Sequence, residues 1–321
     1  MLVTFAGSPD RVEARLVPER GYAFDSFVVS GFPRRPGIAL ARAVAQALAA
    51  PASCLRILRK RRPDVVLGAG GYVAGPMVLA ARLRGIPCAL TEADAHLGLA
   101  NRLAAPLADR VLLALPVGRD GEKYRAVGRP IPAASQARPR AEARAALGLA
   151  SDAQVVLIFG GSLGARLLNE VALDAWADAG PAVIHLCGAR DYPELKERVT
   201  RPDYLLRPFI EDIGAAYGAA DVVLARAGGS VWELAAAGLP AVLVPGEFAT
   251  GAHQEKNARW FVEAGGAVIV PEAEASTAPR VVEELLVDPA RLEAMASAMR
   301  AAAKPDAAEE IADELVGLAR R

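Results

Sequence analysis

Cysteine, histidine, aromatic residues and net charge are all scarce in this 321-residue chain, and each scarcity excludes something. Cys54, Cys88 and Cys187 are scattered and form no C-x-x-C pair. Such a set argues against a disulfide framework and for a reducing compartment, with three small core or surface thiols. His96, His185 and His253 lie too far apart for a metal site, and no H-x-x-x-H pair exists. Aromatics make up 5% of residues, and Lys+Arg and Asp+Glu both total 37, so the formal charge is zero. A dedicated nucleic-acid binder would be more basic. Long hydrophobic runs are absent too. The longest uncharged stretch, Val65–Ala81, holds four glycines and Pro76. It falls short of the roughly 18 to 20 apolar residues a membrane span needs. The opening MLVTFAGSPD has no basic region and turns by Gly7, which predicts no signal peptide.

Apolar material is abundant by contrast. Hydrophobic residues make up 53%, charged residues 23%, and the mean hydropathy is +0.24. At about 150 residues per domain, that supports two ordinary cores. Short β-branched runs alternate with alanine-rich helical stretches. The runs are Leu2–Ala6, Phe27–Ser30, Val65–Leu67, Cys88–Thr91, Val111–Ala114, Val155–Phe159, Ala182–Leu186, Tyr204–Arg207, Val222–Ala225, Ala241–Val244 and Ala267–Val270. Alternation at this pitch predicts an α/β protein with parallel sheets flanked by helices. Pro130–Arg140 lacks a hydrophobic period and reads as a linker. The expected domains are 1–135 and 136–302, with a C-terminal helix at about 303–321 that returns to the first domain.

Both halves carry one phrase. It reads PDVVLGAGGYVAGPMVLAARLRGIPCAL from Pro63 and ADVVLARAGGSVWELAAAGLPAVLV from Ala220. Each runs strand, Gly-Gly turn, helix, Gly-x-Pro, strand. Gly70–Gly71 and Gly228–Gly229 allow a sharp turn or close approach of a ligand. Gly85 and Gly238 suit helix C-termini. Two Rossmann-like domains facing each other would form an interdomain cleft at the carboxyl ends of both sheets, where open α/β sheets bind ligands.

Three segments carry candidate chemistry. Val155–Phe159 runs into Gly160-Gly161-Ser162-Leu163-Gly164-Ala165 and then a helix, a ready anion site with Ser162 as an extra donor. The spacing is neither G-x-G-x-x-G nor a Walker motif, so it specifies no dinucleotide or ATPase. In Arg226-Ala227-Gly228-Gly229-Ser230-Val231-Trp232-Glu233, the carboxylate of Glu233 stands one turn into a helix. It can accept from both hydroxyls of a ribose or simply suit the helix dipole, and the pattern leaves both readings open. His253-Gln254-Glu255-Lys256-Asn257 precedes another helix, with Gln254 and Asn257 on one face. Such amides suit sugar hydroxyls or a solvated helix start.

Ser26–Pro63 carries Arg34, Arg35, Arg42, Arg56, Arg59, Lys60, Arg61 and Arg62 and no acidic residue. Ile38, Leu40, Val44, Leu48, Leu55, Ile57 and Leu58 lie between them. Basic and apolar residues so interleaved fit an anionic membrane surface or a solvated helix. The lack of aromatics argues against stacking on RNA bases.

In order and spacing these segments resemble glycosyltransferase family 28, and the resemblance spans nearly the whole chain. It rests on VSGF (Val29–Phe32), PDVVLGAGGYVAGP (Pro63–Pro76), GLANR (Gly98–Arg102) and ADRVLLALP (Ala108–Pro116) in the first half. In the second it rests on FGGSLGARLLNE (Phe159–Glu170), RPFIEDI (Arg207–Ile213), RAGGSVWELAAAGLPAVLVP (Arg226–Pro245) and HQEKNA (His253–Ala258). The resemblance implies a GT-B fold. It also implies transfer of N-acetylglucosamine from UDP-N-acetylglucosamine to the C4 hydroxyl of the muramyl sugar of lipid I, with inversion, no metal and no cofactor. The partners it implies are UDP-N-acetylglucosamine, lipid I and an anionic membrane surface, not nucleic acid. The implied location is peripheral, on the cytoplasmic side of the bacterial cell membrane.

Site residues carry over one by one. Gly161 and Ser162 match the diphosphate loop, Ile210 the backbone contact to uracil, and Glu233 the ribose ligand beside Gly229 and Ser230. Gln254, with His253 and Asn257, matches donor-sugar contacts, and Asn101 a polar residue facing the cleft. There are departures. The family's G-N-P-V-R reads Gly128-Arg129-Pro130-Ile131-Pro132, so its arginine is absent and Arg129 is the candidate substitute from a different position, and its E-Q-N reads Glu92-Ala93-Asp94. The Arg226–Glu233 segment is one residue short. The family also opens with a strand and a G-G-T-G-G-H loop carrying the favoured base. Here Met1–Gly7 aligns with its second strand, so a strand and helix of roughly 30 to 40 residues are expected to be lacking. The catalytic base is therefore unassigned, with His96 the next candidate. The runner-up function is a non-catalytic UDP-sugar- or lipid-binding homologue. A nicotinamide enzyme is disfavoured, since no G-x-G-x-x-G follows a strand.

Overall fold

The structure is a computed structural model that describes residues 2–31, 37–119, 121–161, 164–246 and 253–320. The chain forms two units, Met1–Gly128 with Ala307–Arg321, and Arg129–Asp306. Each has its own sheet and core.

The first unit runs β1 (Thr4–Gly7), α1 (Glu13–Glu19), β2 (Ala23–Ser26), α2 (Ile38–Arg61), β3 (Val66–Gly68), α3 (Gly71–Leu83), β4 (Cys88–Glu92), α4 (Leu99–Ala104), β5 (Arg110–Leu113) and β6 (Tyr124–Ala126). All its strand pairs are parallel, but they form two sheets. One is β1-β2, and the other is β3-β4-β5-β6. Two strand expectations change here. The strand is Ala23–Ser26, paired to Thr4–Gly7, and Phe27 and Val29 lie just past its end, buried in the core, with Phe27 N–H donating to Gly7 O at 3.0 Å. The short edge strand Tyr124–Ala126 carries an arginine at its centre and has no apolar run to announce it.

Helix α2 places Ala43, Ala50, Cys54 and Leu58 in the core at helical spacing. The opposite side leaves Ile38 91% and Leu48 79% exposed. The expectation of no span needs one correction, because α2 is long and apolar enough to cross a membrane by length and composition. Here one face of it is part of the unit's core. Its last turn is tied down by Asp25, which accepts from Lys60 at 2.9 Å and Arg61 at 2.5 Å. These neighbours hold the Asp25 carboxyl below its ordinary range, Arg61 first, with burial opposing.

The second unit runs α5 (Arg140–Leu147), β7 (Val155–Phe159), α6 (Arg166–Trp176), β8 (Ala182–Leu186), α7 (Tyr192–Leu195), β9 (Tyr204–Arg207), α8 (Ile213–Ala219), β10 (Val222–Ala225), α9 (Val231–Ala237), β11 (Ala241–Leu243), α10 (His253–Glu263), β12 (Ala267–Ile269), α11 (Ala278–Leu286) and α12 (Pro289–Ala302). Its six parallel strands lie in the order β9-β8-β7-β10-β11-β12. Strand β7 reads VVLIF with every residue buried, as expected of an interior parallel strand covered on both faces. Leu168, Ala172, Leu173 and Trp176 of α6 pack on it together with Val282 and Leu285 of α11.

Pro130–Arg140 is not a free linker. Arg138 N–H donates to Gly214 O at 3.0 Å, and a Cβ at Gly214 or Gly218 would overlap the carbonyls of Gln136 and Arg138. The segment runs along α8, so the unit begins at Arg129. Arg144, 2% exposed, then bonds Asp221 at 2.9 Å and the carbonyls of Ser151 and Ala219. Asp221 also accepts from Val155 N–H, which joins α5 to the start of the sheet. The last helix, α13 (Ala307–Ala319), belongs to the first unit. Its Ile311 and Leu318 pack with Ala89, Leu112 and Val127, and Glu314 pairs with Arg110 and Arg125.

Candidate functional site

The strand order of the second unit reverses between β7 and β10. Numbered within the unit, it is 3-2-1-4-5-6, and ligands of such sheets sit at the carboxyl ends of the strands at that reversal. Both glycine turns singled out above flank it. The turn at Gly160–Gly161 follows β7, and the turn at Arg226–Ser230 follows β10, the ladder neighbour of β7. Ser162 and Leu163 lie outside the described residues.

Close packing sets the first turn. Gly164 has φ +75°, and a Cβ there would overlap Cys187 O. Only glycine satisfies both conditions. Behind this contact lies a buried polar chain. Asn169 Nδ2 donates to Cys187 O at 3.0 Å and to Asp191 at 2.9 Å. Its Oδ1 lies 3.0 Å from His185 Nε2, and His185 Nδ1 lies 2.9 Å from the Tyr204 hydroxyl. With Asn169 Nδ2 spent on two acceptors, Oδ1 must accept. His185 therefore carries its proton on Nε2, and Tyr204 donates to Nδ1. Burial pushes the His185 pKa down to about 3, so the imidazole is neutral at neutral pH. His185 thus orients the Asn169 amide, which holds the Cys187 carbonyl that packs against Gly164.

The second turn departs from expectation. Gly70 and Gly71 take left-handed backbone, but Gly228 and Gly229 do not. Gly229 serves close approach instead, because a Cβ there would overlap the Arg129 guanidinium. Arg226 pairs with Glu272 and donates to Val244 O, pinning the turn to its neighbours. Ser230 occupies the N-cap of α9. Glu233, in its first turn, is half-buried and accepts from the Tyr217 hydroxyl at 2.8 Å through Oε2. Tyr217 is 3% exposed, and burial followed by the Glu233 charge pushes its pKa far upward, so it remains a donor. One oxygen of Glu233 is thus held while the other remains to accept. No local pattern pointed to Tyr217, which comes from a different helix, α8.

His253 through Asn257 do not precede a helix but form the start of α10. The His253 side chain lies outside the described residues. Gln254 Oε1 accepts from Gly246 N–H at 2.8 Å, which fixes the amide and turns Nε2 into a donor. Asn257 is 1% exposed, so Gln254 presents the more open amide of the two. Ile210 lies in the turn between β9 and α8, beside the 66% exposed Phe209. In the first unit, Asn101 Nδ2 donates to Thr91 O and Glu92, both at 2.9 Å. Its buried Oδ1 has no hydrogen-bond partner. Glu92 also accepts from Ala93 and Gly98 N–H. The three cysteines are buried, and burial pushes the Cys54 and Cys187 thiols up to about 12 and 11.

The family model for the glycosyltransferase family 28 N-terminal domain matches residues 2–113, and that for its C-terminal domain matches residues 155–311. The UDP-N-acetylglucosamine–N-acetylmuramyl-(pentapeptide) pyrophosphoryl-undecaprenol N-acetylglucosamine transferase of Halothermothrix orenii is 36% identical, over 94% of this chain and 87% of its own. Its counterpart from Mycobacterium tuberculosis is 41% identical, over 99% and 82%. The crystal structure of Acinetobacter baumannii MurG matches with a TM-score of 0.78 at 29% identity, covering 98% of this chain and 91% of that one. The kitacinnamycin glycosyltransferase, at 21% identity and a TM-score of 0.71, shares the fold. Two parallel α/β units of this kind, with the likeness to the MurG structure, give the chain a GT-B fold. The chain belongs to glycosyltransferase family 28.

Proposed function

We propose that this chain transfers N-acetylglucosamine from UDP-N-acetylglucosamine to the C4 hydroxyl of the muramyl sugar of lipid I, forming lipid II. The observation that carries the reading is the pair of glycine turns at the strand-order reversal, with Glu233 held by Tyr217 beside one of them. Relatives named for this reaction support it. The Gly160–Gly161 turn and the amino end of α6 offer N–H groups to the diphosphate. The free oxygen of Glu233 accepts from ribose, the backbone at Ile210 faces uracil, and Gln254 Nε2 donates to a donor-sugar hydroxyl. In the first unit, the unpartnered Oδ1 of Asn101 is a ready acceptor for a substrate hydroxyl. The acceptor oxygen attacks C1 from the face opposite the nucleotide. The C1–O bond breaks, its electrons pass to the departing UDP, and the hydroxyl proton goes to a base.

The same reading places the protein on the cytoplasmic face of the membrane through α2. Exposed Ile38, Val44 and Leu48 enter the interface, and exposed Arg42, Arg56, Arg59 and Arg62 meet anionic headgroups. Arg34 and Arg35 lie outside the described residues. Lys60 and Arg61 contribute less, because Asp25 neutralises part of their charge.

Two experiments test this. Glu233→Ala should weaken UDP at least tenfold in titrations and leave inorganic phosphate binding unchanged. Superimposable UDP curves would remove Glu233 from the site. Changing Arg42, Arg56, Arg59 and Arg62 to Gln should release the protein from anionic vesicles at about 0.15 M salt, at roughly 1 kcal/mol per charge. Undiminished binding would assign these residues to a solvated helix face.

A further inference from the structure

The first glycine turn is held in three places. Gly164 N–H donates to Gly161 O at 3.0 Å, a Cβ on Gly160 would overlap Ala165, and Gly164 lies against Cys187 O. The third contact reaches another strand, since Cys187 directly follows β8. Its carbonyl accepts from Asn169 Nδ2. The backbone N–H of Asn169 also closes the first turn of α6 on Ala165 O at 3.0 Å. One residue therefore ties the start of α6 to the end of β8, and the glycine turn lies between them.

The direction of the Asn169 amide decides whether that tie exists. The residue is buried and cannot turn to water. Arg190 holds the Asp191 carboxyl below its ordinary range, with burial opposing, so Asp191 only accepts. Nδ2 must face Asp191 and Cys187 O together, and a reversed amide would set oxygen against oxygen at both. Oδ1 then needs a donor, and His185 Nε2 supplies it at 3.0 Å. The Tyr204 hydroxyl covers Nδ1, which leaves the one proton of the neutral ring to Nε2.

We propose that His185 is a positioning residue for the nucleotide diphosphate: through Asn169 it keeps Cys187 O against Gly164 and so aims the N–H groups of the turn and of the amino end of α6. The inference rests on the reading that the second unit holds UDP. Ile210 and Glu233, given to uracil and ribose, are not members of this chain of contacts. His185 therefore governs the hold on the diphosphate and leaves the hold on the nucleoside alone.

The test is a pair of substitutions that each keep the place of one ring nitrogen. In His185→Gln the amide reaches about as far as Nε2 and still donates to Asn169. In His185→Asn it reaches about as far as Nδ1 and meets Tyr204 only. The full chain is titrated with UDP and with uridine. His185→Asn should lower the preference for UDP over uridine about tenfold, the upper end for one lost hydrogen bond, while uridine affinity holds. His185→Gln should keep the wild-type preference. Asn169→Leu should match the loss in His185→Asn, and the double variant should lose no more. Nitrogen NMR of the wild type, which has three histidines, should place the His185 proton on Nε2 and needs no variant. A proton on Nδ1 would overturn the inference. Equal losses in His185→Gln and His185→Asn, or a parallel fall of both ligands, would also overturn it by assigning His185 to packing. A clear wild-type preference for UDP that neither His185→Asn nor Asn169→Leu changes would overturn the inference alone. A wild type without that preference would overturn the nucleotide reading with it.

Discussion

The residues that do most for the site are held by partners remote in sequence. Glu233 is the clearest case. A lone carboxylate near a helix start swings among rotamers, and the Tyr217 hydroxyl stops that by binding one oxygen. Tyr217→Phe removes a single hydrogen bond to a charged group, which is worth about 1.5 kcal/mol or more. UDP should then bind about tenfold more weakly, while 2′-deoxy-UDP, which lacks one of the hydroxyls proposed to bind Glu233, should lose much less. Titration with both nucleotides measures the difference. A parallel loss for the two would detach Tyr217 from ribose recognition. Gln254 follows the same logic, since its oxygen is committed to Gly246 N–H and its donor end is left for a ligand.

Strands and helices differ sharply in how well they are supported. In the second unit, β7 and β10 are interior strands with a neighbour on each side and fully buried side chains. In the first unit, β1 pairs only with β2, and β3 only with β4, among the described residues. Phe5 at 41% and Leu67 at 38% are exposed for strand residues of a core. A two-stranded ribbon has little independent stability, and its backbone groups open most easily. Hydrogen exchange should therefore show fast exchange at Phe5–Gly7 and Phe24–Ser26 and slow exchange at Val156–Phe159 and Val223–Ala225. Equal protection in both sets would mean that the ribbon is braced by contacts beyond its ladder. Helix α2 shows a related asymmetry. Its buried face of Ala43, Ala50, Cys54 and Leu58 secures it, which leaves its apolar and basic outer face free to act on a surface.

In the molecule as a whole, the features proposed to bind the nucleotide all lie in Arg129–Asp306, and helix α2 and Asn101 lie in the other unit. A ligand stabilises only what binds it, by about 2.7 kcal/mol at a hundredfold excess over its dissociation constant. UDP should then slow exchange across β7, β10 and α9 and leave β4 and β5 at their unliganded rates. Uniform protection of both units would show that nucleotide binding is shared between them.

Much of this was legible in the sequence, because local physics carried it. Interior parallel strands buried on both faces read as largely apolar runs, so Val155–Phe159, Ala182–Leu186 and Val222–Ala225 match their strands residue for residue, as does the edge strand Tyr204–Arg207. Glycines next to such runs marked both turns at the reversal. The edge strand of the first unit and irregular segments were not legible. Tyr124–Ala126 has no apolar pattern, and the core residues Phe27 and Val29 follow their strand rather than lie in it. Pro130–Arg140 looked like a linker because its contacts are carbonyls lying against glycines of α8, which leave no side-chain period. Tertiary structure alone brought Tyr217 to Glu233, Asn169 and His185 beneath Gly164, Asp25 to Lys60 and Arg61, and Arg129 to Gly229. Each of these joins groups from separate elements, and hydrogen-bond reach is a property of folded distance that periodicity along the chain does not encode.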